Sequence, residues 1–99
     1  MGRIEENEKR LDDLNKVVLS LDKHLDDFED LIHEYYTLNE YYGSKEWLKD
    51  KEDFESGKIK NVKAGVLSED AVYDLDERIK DLTTRMEGIV SLMESKKDN

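Results

Sequence analysis

The chain has 99 residues, of which 42% are charged and 36% hydrophobic, and a formal net charge of −10. That size suits one domain, residues 1–99, and a polyanion repels phosphate backbones and anionic lipid headgroups, so nucleic acid and membrane surfaces are poor partners. There is no cysteine, which excludes disulfides and thiolate metal sites and suits a reducing compartment.

There is also no proline, the strongest helix breaker, so long uninterrupted helices are permitted. The first predicted helix runs over about 3–42. Ile4, Leu11, Val18, Leu25 and Ile32 recur every seven residues. Leu14, Leu21, Phe28, Tyr35 and Tyr42 form a second series offset by three, and only Asn7 and Asn39 interrupt the a and d positions so defined. Val17, Leu31 and Leu38 at g positions widen the stripe enough to touch two neighbours, which makes this helix the central one. Glu5–Lys9, Glu6–Arg10 and Asp12–Lys16 are spaced as i,i+4 pairs that would support its first turns.

Gly43-Ser44 breaks the pattern, and Ser44 is placed to cap a short second helix over 45–55. Trp47, Leu48, Lys51 and Phe54 share one face of it, and Gly57 is its stop signal. Residues 56–68 read as a loop. For the third helix, over 69–94, Ser68 is the expected N-cap, and Leu67 and Val72 are the expected hydrophobic staple. Val72, Leu75, Ile79, Leu82, Met86, Ile89 and Met93 then fill every a and d position. Gly88 falls on the wet side, and the tail from Ser95 to Asn99 is expected to fray.

The order is thus long helix, short helix, long helix: an all-α fold. The expected packing is an antiparallel helical hairpin, or three-helix bundle, with coiled-coil-like heptad contacts. Helix one is longer than helix three by roughly 12 residues, or roughly 18 Å. With helix three starting near Tyr42, the Ile4–Leu14 end of helix one overhangs, and an exposed apolar seam marks an interface. Homo-oligomerisation as a dimer of hairpins is the expectation.

Two stretches carry a family resemblance: Tyr41-Tyr42-Gly43-Ser44-Lys45-Glu46-Trp47, and Gly65-Val66-Leu67-Ser68-Glu69-Asp70-Ala71-Val72-Tyr73-Asp74-Leu75. On these motifs the chain resembles the short bacterial proteins grouped as domain of unknown function 4298, from about Arg3 to Met93. The resemblance implies a small helical fold in bacteria and no activity, cofactor or catalytic residue. The same motifs read physically as punctuation: Gly43-Ser44 ends one helix and caps the next, and Trp47 packs back on the Tyr35–Tyr42 end of helix one.

Most of the aromatic side chains gather at that corner, at Tyr35, Tyr36, Tyr41, Tyr42, Trp47 and Phe54. Such a cluster serves either as packing between helices or as a binding hot spot, packing being the commoner use. Tyr36, Tyr41 and Trp47 are the candidate partner-binding residues, with Tyr36 and Tyr41 off the a/d seam. Glu29, Asp30 and His33 have metal-ligand spacing, but a di-metal bundle needs a second such motif, and His33 falls on the solvent side. Glu52–Lys63 has a glycine where a calcium loop does, yet Phe54 and Lys63 stand at ligand positions, which rejects it. No nucleophile triad, phosphate loop or zinc motif is present.

Lys58, Lys60 and Lys63 stand out in an acidic chain and suit the C-terminal dipole of the short helix. No apolar run approaches the ~20 residues of a membrane span. Met1–Glu6 has no apolar signal core, and Glu6 stands where a myristoylation signal needs a hydroxyl. A cytoplasmic, non-enzymatic protein–protein interaction module without cofactors is therefore expected. The alternatives are an acidic DNA mimic that inhibits a nucleic-acid-binding protein and, further off, a metal-binding protein or enzyme.

Overall fold

The computed structural model describes residues 2–97. They form three α-helices, α1 (Arg3–Tyr41), α2 (Lys45–Glu55) and α3 (Ala71–Lys97), with a single 3₁₀ turn at Gly65–Leu67. There is no strand among the described residues. The chain is all-α with the long-short-long order that its heptads predict. Two units meet between Leu38 and Asn39, and each is taken by itself.

The first unit is α1 up to Leu38. Freedom from proline and glycine lets the helix run 39 residues in all, about 58 Å at 1.5 Å per residue. No side chain of α1 is buried. Its a and d positions grade along its length: Ile4 is 80% and Leu14 63% exposed, whereas Leu25, Phe28, Ile32 and Tyr35 are half-buried. The polar contacts of the first turns differ from the expected pairs. Lys9 reaches forward to Asp13, Nζ to Oδ2 2.7 Å, instead of back to Glu5. Arg10 Nη1 donates to Asn7 Oδ1 at 3.1 Å, and Asn7 Nδ2 donates to the Arg3 carbonyl at 2.8 Å. A neutral amide one turn away thus takes the place expected for Glu6.

The second unit, Asn39 onward, is held by its turns. α1 ends where Gly43 takes the left-handed conformation, φ +77°, which costs an L side chain about 1–2 kcal/mol. Ser44 caps α2 as its spacing predicts: its backbone is extended, its Oγ accepts the Trp47 N–H at 3.1 Å, and its carbonyl accepts from Leu48. α2 closes in a Schellman motif. Gly57 at φ +84° lets Lys58 N–H reach the Asp53 carbonyl at 2.8 Å and Gly57 N–H reach the Phe54 carbonyl at 3.2 Å.

The start of α3 corrects the capping expectation. Residues 65–67 form the 3₁₀ turn, closed by Leu67 N–H to the Ala64 carbonyl and Ser68 N–H to the Gly65 carbonyl. Ser68 is therefore committed to ending that turn, and its Oγ accepts only the Asp70 N–H, at 3.2 Å. The first backbone bond of α3 runs from Asp74 N–H to the Asp70 carbonyl, 2.8 Å. Asp70 takes the N-cap place, the helix starts at Ala71 instead of residue 69, and Val72 lies too early to be the far half of a Leu67 staple. Val72 is instead a core residue, 3% exposed. Beyond it the a/d row is partly covered and then open: Ile79 is half-buried, Leu75, Leu82 and Met86 are exposed, and Ile89 and Met93 are the most exposed, at 61% and 67%. The helix persists through Ser95–Lys97, where fraying was expected; residues 98 and 99 lie outside the described residues.

Candidate functional site

The corner that holds Tyr41, Tyr42, Trp47 and Phe54 is built from three stretches of the second unit: the end of α1, α2, and the 3₁₀ turn with the residues after it; Tyr35, expected there too, belongs to the first unit. Trp47, 6% exposed, is its centre. Capping by Ser44 places it in the first turn of α2, where its indole Nε1 donates to the Val66 carbonyl at 2.9 Å. Tyr42 meets it edge-on, ring centroids 5.2 Å apart and planes at 66°, an arrangement favoured by the ring quadrupoles. Lys51, one turn along α2, lies over the indole with its Nζ 5.2 Å from the centroid.

Polar groups tie the rim. The Tyr42 hydroxyl donates to the Glu69 carbonyl. Lys51 Nζ pairs with Glu69 Oε1 at 2.8 Å; this hydrogen bond is the chief reason that the Lys51 ammonium is shifted upward and the Glu69 carboxyl downward. The Tyr41 hydroxyl donates to Asp50 Oδ2 at 2.7 Å. That bond first, then loss of water and the nearby negative charge, push the phenol up to about 12. No buried side-chain polar atom among the described residues lacks a partner.

Of the three candidate residues, two meet here: Trp47 as a packed centre and Tyr41 half-buried on the rim. Tyr36 belongs to the first unit, 60% exposed, its ring centroid 5.7 Å from that of Tyr35. Sequence reasoning missed the roles of Asp50, Val66 and Glu69. The only local hint was the alternation of acids and lysines along α2, which the i,i+4 rule does not extend to partners 9 or 18 residues away.

Beside the corner lies a depression of about 230 Å³ lined by Lys51, Phe54, Glu55, Ala64, Leu67 and Ser68. Small-molecule sites run from about 300 Å³ upward and enclose most of the ligand, so this hollow is too small for one. Among the described residues no three His, Cys, Asp or Glu side chains stand together as a metal site. No helix among them is long and apolar enough to cross a membrane. Chemically the corner is a joint: its donors and acceptors are engaged with one another, and they pin the chain after the 3₁₀ turn to α2.

A joint of this kind, framed by a glycine-serine hinge and a capped third helix, is what the two motifs encode. Residues 4–89 match the family model described as Domain of unknown function (DUF4298), and the chain belongs to that family. No curated protein and no solved structure matches it.

Proposed function

We propose that the protein is a non-enzymatic interaction module that associates with itself through the N-terminal part of the α1 heptad seam. One observation carries this reading: the a/d rows are apolar yet exposed over their outer parts, Ile4, Leu11 and Leu14 at the start of α1 and Ile89 and Met93 at the end of α3. Water drives such rows against another apolar surface, and heptad spacing makes that surface another helix. In this reading α3 lies antiparallel along the Tyr42 end of α1, with α2 folded against the pair as a three-helix bundle. The Ile4–Leu14 stretch then meets a second copy. A cytoplasmic setting fits the cysteine-free chain. Tyr36, 60% exposed, is an aromatic that a different protein partner would meet.

Magnitudes favour a modest dimer. Ile4, Leu11 and Leu14 from two copies supply six side chains, each worth about 1.5–3 kcal/mol when fully buried. Association costs about 4–15 kcal/mol, leaving, at the middle of both ranges, a margin of about 4 kcal/mol and a dissociation constant on the order of millimolar. Sedimentation equilibrium tests the proposal. A reversible dimer that Leu11→Asp with Leu14→Asp abolishes, with helicity retained, supports it. A strict monomer at about 2 millimolar refutes it.

A further inference from the structure

The flanks of the α1 seam carry information about how two copies meet. Resting on the self-association proposed above, we infer that the Arg3–Leu14 segments of two copies pair parallel and in register. In the heptad that places Ile4 and Leu11 at a, Arg3 and Arg10 are g residues, Glu8 and Asn15 are e residues, and Asn7 is the one polar residue at d before Leu14. A parallel pair sets each g residue beside the e residue five positions on in the other copy. Arg3 then faces Glu8 twice over, and Arg10 faces the neutral Asn15. The two Asn7 side chains meet in one layer, where each amide keeps a second N–H and a second lone pair, beyond its bonds with Arg3 and Arg10, for the other. A lone asparagine in a seam is a known device for setting register.

The antiparallel alternative is poorer on each count. With Ile4 opposite Leu14 of the second copy, two-fold symmetry sets Glu8 against Glu8 and Arg10 against Arg10. It also sets Asn7 against Leu11, which offers no partner to the amide N–H left over beside the bond to Arg3. Slid one heptad further, it brings Arg3 beside His24 and Arg10 beside Val17, so that neither arginine meets an acid. Parallel pairing does bring two helix N-termini together, but Glu5 and Glu6 lie in the first turn of each and oppose that repulsion.

The absence of native cysteine gives a clean test in the full chain. Cysteines bridge only when their Cα atoms lie within about 7 Å. Parallel pairing brings Leu14 to Leu14 and Ile4 to Ile4. Antiparallel pairing separates each like pair by ten residues, about 15 Å, and brings Ile4 to Leu14 instead. Under mild oxidation L14C and I4C should each give a covalent dimer as the main species, and an equal mixture should give homodimers only. R3E should weaken the dimer seen in sedimentation, and R3E/E8R should restore it. A mixed I4C–L14C product, a dimer in which neither variant cross-links, or no rescue by the charge swap overturns the parallel pairing while leaving self-association standing. A monomeric unmodified chain removes both.

Discussion

The indole Nε1 of Trp47 donates to the carbonyl of Val66 at 2.9 Å, across 19 residues of sequence. Through this bond the first turn of α2 holds the chain that leads into α3. Trp47→Ala should destabilise the protein by about 3–5 kcal/mol, because it empties the centre of the corner. Trp47→Phe keeps much of the packing but leaves the Val66 carbonyl without its donor, and should cost about 1–3 kcal/mol. Urea denaturation followed by circular dichroism would check both values and their order.

Tyr41 makes the corner sensitive to alkali. Its phenol is pushed up from its ordinary value of 10.0 to about 12 by the bond to Asp50. A group whose folded value lies above its unfolded one gives its full contribution below the unfolded value, here about 10. The contribution is lost as pH rises from about 10 through about 12. Melting temperature should therefore fall more steeply over that window in the native chain than in Tyr41→Phe. Spectrophotometric titration should show one of the tyrosines ionising late.

Lys51 and Glu69 give a window bounded on both sides. The Glu69 carboxyl is held below its ordinary 4.5 by the Lys51 hydrogen bond, so its contribution is present above that value and lost as pH falls through the folded value. The Lys51 ammonium is raised above its ordinary 10.5 by the same bond, so its contribution is present below that value and lost as pH rises further. Glu69→Gln should flatten both limbs in thermal melts across pH. Because Glu69 is exposed, added salt should shrink the difference between the two proteins.

Two glycine substitutions should act in opposite directions. Gly57 sits at φ +84°, and Gly57→Ala should cost about 1–2 kcal/mol by forcing a side chain into the left-handed region. Gly88 lies inside α3, and a Cβ there meets nothing within 4 Å. Gly88→Ala should stabilise by about 1 kcal/mol through helix propensity alone. Paired melts of the two variants would check the signs.

The legible parts of this molecule were those set by short-range rules. Heptads located α1 and α3, Ser44 marked the start of α2, and Gly57 marked its end, because each signal lies within a few residues of the structure it makes. Ser68 misled by two residues for a related reason. A serine before an apolar helix is a sound cap signal, but the 3₁₀ turn at Gly65–Leu67 competes for its backbone, and no periodicity announces so short a turn. The packing of Trp47 against Tyr42 could be anticipated from spacing. Its bond to Val66 and the Lys51–Glu69 pair could not, since both depend on the path of residues 56–68, where no repeating pattern constrains the backbone.

Trp47 is the only tryptophan in the chain, shielded from water and flanked by an edge-on tyrosine and a lysine. Its emission is thus a native reporter of the hinge alone, while far-ultraviolet ellipticity is dominated by the two long helices. Loosening of the joint and loss of helix can therefore be followed as separate optical signals in one unlabelled sample.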